Sequence, residues 1–305
     1  MFEWLYKTVG LAYREAWAIV QIFEHTKEIW SSFSIKGFFA GIMAIFELFG
    51  MLLFGHPITP SGQELNLDEY KLVLYDEFEG DSLNTNLWFH RGEGSQGQGK
   101  YSSEQVSFKD GNMIITGEYR ENGKFGEGWY GAEVGTVNKY KHGYFEIRCI
   151  CNKDPYFWSA FWIQADHPYD AEYSKGGVGG AEIDIFESMS HNSTYSNSVT
   201  STVHCAGVDG IQEGIQSANL GTFKANNIYE EYNTYGLEWT EDEYIFYING
   251  VETVRTDFGN GVSQVAEMPI ISLVVPSSDK FDLMDKETYN TQFKIDYVKI
   301  YQKEG

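Results

Sequence analysis

From Tyr70 onward the chain is cut into short runs of β-branched and aromatic residues, each closed by Gly, Asn or Asp, and this punctuation excludes most folds at the outset. MIITGEY at 113–119, GYFEIRCI at 143–150, AEIDIF at 181–186, EYIFYING at 243–250 and FKIDYVKIY at 293–301 have the length and composition of strands. Few windows in this region keep a helical period. Asn249 and Gly250 fall between YIFYI and VETVRT, and both tolerate the positive φ of a type I′ turn, so a tight hairpin is predicted there. About 230 residues built this way predict one all-β sandwich or barrel. A composition that is 42% hydrophobic and 16% aromatic is enough for a sizeable core.

Residues 1–54 read differently. GFFAGIMAIFELFGMLLF, positions 37–54, is an apolar run broken only by Glu47 and preceded by Lys36, and it has the length needed to cross a bilayer. Ahead of it Leu5, Val9, Ala12, Ala16, Ile19 and Phe23 recur at helical spacing opposite a polar stripe of Lys7, Arg14, Gln21 and Glu28. The segment is therefore predicted to be N-terminal helices that serve as an uncleaved membrane anchor, with helices packing on a partner or an unusual export signal as alternatives. A cleaved signal peptide fits less well, because the apolar run comes late and no short basic region leads it. An anchor of this kind places the remainder outside the cell or on its surface. Two prolines and a Ser-Gly pair in HPITPSGQE predict a linker over 55–70, with the main domain at 71–303.

The formal charge is −22, from 44 acidic against 22 basic residues, so the average surface repels phosphate backbones and nucleic acid is not an expected partner. Cys149, Cys151 and Cys205 permit one disulfide at most and offer no zinc-ligand spacing.

GGAEIDIFES, positions 179–188, crowds Glu182, Asp184 and Glu187 into six positions. On a strand Glu182 and Asp184 share a face while Ile183 and Ile185 point behind them. Simple alternation sends Glu187 to the wrong side, and an extra residue, a β-bulge near Ile185 and Phe186, restores it. The outer Cα atoms then lie roughly 13 Å apart by strand rise. Side chains leaning together bring the carboxyl groups to the roughly 5 Å that suits glycosidic cleavage with retention. That chemistry needs one ionised carboxylate as nucleophile and one protonated acid for the leaving oxygen. A third carboxylate between them raises the proton affinity of its neighbours, so the cluster keeps a proton that isolated acids would lose. The rival readings are a solvated strand face and a calcium site, although an EF-hand spaces its ligands around a glycine turn and not along an apolar strand. Trp158 and Trp162, in FWSAFW, point to one side of a strand, and such rings stack on the apolar faces of sugars. Trp129, Tyr130, Trp88 and Trp239 are further flat amphipathic surfaces, and Trp129 and Tyr130 are expected to contact the sugar as well.

These motifs resemble family 16 of the glycoside hydrolases. GGAEIDIFES is similar to the family's ExDxxE signature in its bulged form, and FWSAFWIQ to the tryptophan-bearing strand before it. YNTYGLEWTEDEYIFYING resembles its EWT segment and the hairpin that follows, KLVLYDEFEG its opening and FKIDYVKIYQ its closing strand, so the likeness spans about residues 71–303. The resemblance implies a concanavalin A-like β-jelly roll with an open cleft that hydrolyses β-linked polysaccharide internally with retention. By motif position Glu182 is the expected nucleophile, Glu187 the acid/base and Asp184 the holder of the coupled proton. His204, in TVHCAG, matches a cleft histidine. No cofactor is needed for the chemistry; a structural calcium would fall on Asp296 and Gly111. The chain departs from many β-1,3-glucan-cleaving relatives at Glu133, where they carry arginine, and at Asn233, where histidine is frequent. A β-1,3-glucan is the leading expected substrate, and a β-galactoside-containing glycan the alternative. A lectin-like binding domain without turnover is the rival function, and a membrane-tethered structural protein rests on residues 1–54 alone. GSQGQGKY, 94–101, nearly matches a phosphate-binding loop, but Tyr101 replaces its metal-binding hydroxyl and the strand-then-helix context is missing, so it is read as a glycine-rich rim loop.

Overall fold

Antiparallel pairing organises most of the chain in the computed structural model, which describes residues 57–96, 99–188 and 197–303. The strands are β1 (Tyr70–Asp76), β2 (Trp88–Arg91), β3 (Gly94–Gln96), β4 (Gly99–Tyr101), β5 (Val106–Phe108), β6 (Met113–Arg120), β7 (Gly128–Thr136), β8 (Gly143–Ile150) and β9 (Trp158–Gln164). They continue with β10 (Glu182–Glu187), β11 (Ser198–Cys205), β12 (Gln216–Lys224), β13 (Asn233–Trp239), β14 (Tyr244–Ile248), β15 (Val251–Thr256), β16 (Met268–Val274) and β17 (Asn290–Lys303). A single-turn helix, α1 (Ala171–Ser174), precedes β10.

Two sheets result. The first runs β12-β11-β10-β9-β16-β7-β2. The second runs β15-β14-β13-β8-β17, with the long β17 pairing β6 at its start and β1 at its end. Strand β7 joins them, since Gly128–Tyr130 pair with β6 while Ala132–Thr136 pair with β16 and β2. Phe161, Ile163, Ile183 and Phe186 from the first sheet belong to one buried cluster with Phe145, Ile147, Tyr235 and Leu237 from the second. The other face of the first sheet carries the groove. This is the all-β sandwich that the strand runs predict, with the jelly-roll form and open cleft that the resemblance implies. The Asn249-Gly250 hairpin is also present, with φ of 51° and 76° at its two turn residues.

The predicted linker is not a free tether. Ile58 donates to Thr222 O at 2.8 Å and accepts from Lys224 N at 2.7 Å, along the edge of β12. Gly62 N bonds Glu252 O at 3.0 Å, Glu252 N bonds Gln63 O at 2.9 Å and Leu65 N bonds Gly250 O at 2.9 Å, along β15. Leu65 and Leu67 pack on Tyr144, Ile245 and Tyr247, on the outer side of the second sheet. The physical reason is that β12 and β15 end their sheets, and a bare strand edge offers unpaired N–H and C=O groups that a passing extended segment satisfies. Residues 57–69 are therefore part of the domain. The N-terminal helices predicted over 1–54 lie outside the described residues. Among the described residues, no helix is long and apolar enough to cross a membrane. All three cysteines are buried and free.

Gly62 is where the strap comes closest, since a Cβ there would sit 2.7 Å from Glu252 Cβ. Gly62→Val should cost about 2 kcal/mol through this overlap, a melting temperature lower by about 5 °C. Thermal melts superimposed on those of the parent would show that the strap is not seated on β15.

Candidate active site

The groove is a cross-strand grid. Register aligns Gln164, Glu182, His204 and Ser217 across β9, β10, β11 and β12. The next same-face row is Trp162, Asp184, Thr202 and Asn219, and the next is Ala160, Glu187, Thr200 and Thr222. The Glu187 row exists because β10 carries one extra residue. Asp184 to Phe186 spans two steps where its partner on β9, Trp162 to Phe161, spans one, and β11 registers the same irregularity. Both Ile185 and Phe186 are buried, Phe186 stacking on Tyr235 with ring centroids 4.1 Å apart. The Ile185 carbonyl, displaced from the regular ladder, accepts from Ser201 Oγ at 2.8 Å.

Glu182, Asp184 and Glu187 thus line one groove of about 300 Å³, together with Arg91, Tyr101, Glu133, Trp158, Trp162, Gln164, Tyr169 and Ser272. A larger hollow of about 590 Å³, around His142, Trp239 and Lys303, shares no residue with it. Trp158 Nε1 donates to Glu187 Oε1 at 3.1 Å and Trp162 Nε1 to Ser272 Oγ at 3.1 Å, so each indole has a fixed polar edge beside an open groove. His204 bridges the grid, with Nε2 at 3.2 Å from Asp184 Oδ2 and Nδ1 at 2.6 Å from Ser217 Oγ. Glu182 accepts from Gln164 Nε2 and from the Tyr169 hydroxyl.

Burial and mutual repulsion set the charge state. Burial, then the Asp184 charge, pushes Glu187 up to about 8. Glu182 is raised by the same two causes but pulled back by its bonds from Tyr169 and Gln164 and by His204. Burial raises Asp184 against the opposing pull of His204. Burial works against a charge on His204, yet its bond to Asp184 and the surrounding acids leave it raised. The trio titrates as one group and holds a proton near neutrality. One ligand atom each from Glu182, Asp184 and His204 lie within 4.8 Å of one another, a grouping in which a metal could sit. There the His204 Nε2 faces Asp184 Oδ2, and we read the group as one that holds protons.

Two expected groove residues lie elsewhere. Trp129 is 1% exposed among Tyr119, Phe157, Phe281 and Tyr289, and Tyr130 is 0% exposed with its hydroxyl bonded to Gly126 O and Phe125 N. They sit on the half of β7 that pairs with β6, before the strand crosses into the groove sheet. Trp88 and Trp239 are likewise core. Asp296 receives Arg148, and the acid beside Gly111 is Glu79. With its aspartate already engaged by a guanidinium, that pair of positions does not present the six to eight oxygens calcium takes. Within the glycine-rich segment Gly94–Gln96 and Gly99–Tyr101 form the short β3-β4 pair, and Tyr101 lines the groove. Sequence reasoning missed Arg91, Gln164 and Tyr169 and took Glu133 only as a departure. Gln164 was within reach of it, being in phase with Trp158 and Trp162 on β9.

The shift at Glu187 has a consequence for stability. An acid raised in the folded state from its ordinary 4.5 to about 8 binds its proton more tightly folded than unfolded. Its contribution is therefore full below about pH 4.5 and is lost as pH rises through 8. Glu187→Gln should melt higher than the parent at pH 9 and lose that advantage toward pH 4. Parent and variant curves running parallel across pH 4–9 would contradict the assignment.

Residues 72–303 match the family model described as the glycoside hydrolase family 16 domain of β-porphyranases A–D. The endo-1,3-1,4-β-glycanase EglC of Rhizobium meliloti is 27% identical over 210 residues, covering 66% of this chain and 40% of that protein. The keratan-sulfate endo-1,4-β-galactosidase of Sphingobacterium multivorum is 21% identical over 187 residues, covering 59% and 42%. The chain therefore spans less than half the length of either relative. Among solved structures, LamAcat from Zobellia galactanivorans shares the fold with a TM-score of 0.60 at 21% identity, over 76% of this chain and 98% of that one. With the family model matched across the whole sandwich, the chain belongs to glycoside hydrolase family 16.

Proposed function

We propose that the domain is a retaining, endo-acting glycoside hydrolase that cleaves β-1,3-linked glucan within the chain. The observation that carries this is the set of three carboxyl groups, Glu182, Asp184 and Glu187, on one wall of a groove that also presents Trp158 and Trp162. Glu182 attacks the anomeric carbon, held as an anion by donors from Gln164 and Tyr169. Glu187, protonated at neutral pH, gives its proton to the leaving oxygen and then, as a carboxylate, takes one from the water that releases the product. Asp184 raises the proton affinity of both neighbours, and His204 balances part of its charge. A groove open to solvent admits a polymer along its length, which suits internal cleavage. A polymeric substrate is met outside the cell or at its surface, and that is where we place the protein.

Cleavage at β-1,3 bonds is favoured by the similarity to EglC, named an endo-1,3-1,4-β-glycanase. A second reading, cleavage of a β-galactoside-containing glycan, is favoured by the porphyranase-type family model and the Sphingobacterium galactosidase. The net charge of −22 weighs against heavily sulfated galactans. A lectin-like role would need the aromatic groove but not an acid trio that holds a proton.

Incubation with laminarin, mixed-linkage glucan and unsulfated β-galactan should release oligosaccharides of several lengths from laminarin first. Release from galactan alone would select the second reading. Glu182→Gln should lower kcat by at least about 10³-fold while calorimetry shows binding of the same oligosaccharides. Turnover within ten-fold of the parent would remove Glu182 from the chemistry.

A further inference from the structure

Arg91 reaches the groove from β2, the far edge of the sheet that carries the acid trio. Its Nη1 donates to Glu133 Oε2 at 2.6 Å and its Nη2 to Gln164 Oε1 at 2.7 Å. The guanidinium also lies over the Trp162 ring, 5.3 Å from its centroid. Glu133 is buried and aligned with Arg91 by the β2-β7 register, so it fixes the guanidinium from behind.

This arrangement removes a freedom from Gln164. A carboxamide can present either its oxygen or its nitrogen to a neighbour, and the two ends have nearly the same shape. A guanidinium has donors and no acceptor, so the Gln164 atom facing Arg91 has to be the oxygen. The nitrogen is left pointing at Glu182, to whose Oε2 it donates. Were the amide reversed, its oxygen would face the carboxylate and oppose the ionised form.

We propose that Arg91 is a positioning residue for the reaction: clamped by Glu133, it locks the Gln164 amide so that it donates to Glu182 and holds the nucleophile in place as an anion. The proposal rests on Glu182 being the nucleophile. The charged and titratable groups around Glu182 are Asp184 and Glu187 on its own strand, His204 on β11, Tyr169 ahead of α1, and the Arg91-Glu133 pair across the groove. Burial and then Asp184 oppose ionisation of Glu182, and against them stand Tyr169, His204 and Gln164. Turning one of those donors into an acceptor shifts that balance.

The test uses the full chain as parent, Arg91→Met, Gln164→Met and the double variant. A further variant, Arg91→Met with Glu133→Gln, removes the clamp without leaving a buried unpaired carboxylate, which protects the test against misfolding. Two readouts are taken: the pH profile of kcat/KM on laminarin, and the titration of the Glu182 carboxyl by ¹³C NMR of labelled glutamate, assigned with Glu182→Gln. Loss of Arg91 should raise the Glu182 titration and the acid limb by about one pH unit. It should lower kcat about ten-fold with KM changed less than about two-fold. In the Gln164→Met background, removing Arg91 should add nothing to either readout. A Glu182 titration unmoved by loss of Arg91, or effects that multiply in the double variant, would overturn the proposal. Should the parent hydrolyse no glycan, the enzymatic reading falls, while the NMR titration still decides whether Arg91 acts on Glu182 through Gln164.

Discussion

The rest of the site depends on one extra residue in β10. Ile185 and Phe186 are adjacent and both buried, which a regular strand does not allow on one face. The bulge resolves this by turning Phe186 inward onto Tyr235 and Glu187 outward toward Trp158. In an unbulged strand Glu187 would face the Phe186 side of the sandwich, where an unpaired carboxylate costs several kcal/mol. The displaced Ile185 carbonyl would be a second liability, and Ser201 on β11 satisfies it. Core packing and groove chemistry thus require the same irregularity, and neither could be altered there without disturbing the other.

What the bulge assembles is an electrostatic conflict, and the surrounding partners resolve it unevenly. Glu182 has hydrogen bonds from Gln164 and Tyr169, which favour its anion. Glu187 has one, from Trp158, in a site whose burial keeps it protonated. Asp184 stands between them and is held by His204, itself fixed by Ser217. Burial and Asp184 thereby raise two glutamates of the same chemical type, and the donors around Glu182 oppose that rise with two side-chain hydrogen bonds where Glu187 has one. The pairing of Arg91 with Glu133 extends this asymmetry to the far wall of the groove, on the Glu182 side.

The parts of this arrangement that could be read in the sequence are those set by local periodicity. Alternation along 181–187 and along FWSAFW places Glu182 with Asp184 and the two tryptophans with each other, and the break in alternation at Glu187 points to the bulge, because face selection in a strand is a property of neighbouring residues. It does not say which sheet a strand joins. Trp129 and Tyr130 were misplaced for that reason, since β7 changes partners after Gly131 and only its second half reaches the groove sheet. The segment 57–69 carries the prolines and glycine of a linker, and its docking depends on β12 and β15 being sheet edges, which pairing alone decides. Arg91 and Tyr169 arrive from a four-residue strand and a loop without periodicity, so no local signal marks them. Gln164 was marked by its phase with Trp162 and needed only a reason to be polar, which Glu182 and Arg91 supply.

Glu182 and Glu187 face one groove from either side of a bulge, and the proposed reaction has one of them attack the sugar directly while the other protonates the leaving group. The most direct measurement is the anomeric configuration of the newly formed reducing end, followed by ¹H NMR in the first minutes of hydrolysis, before mutarotation. The account predicts that the β-anomer appears first and later relaxes toward the equilibrium mixture. Initial appearance of the α-anomer would mean inversion through a water molecule between more widely separated acids, and would contradict the arrangement described for Glu182 and Glu187.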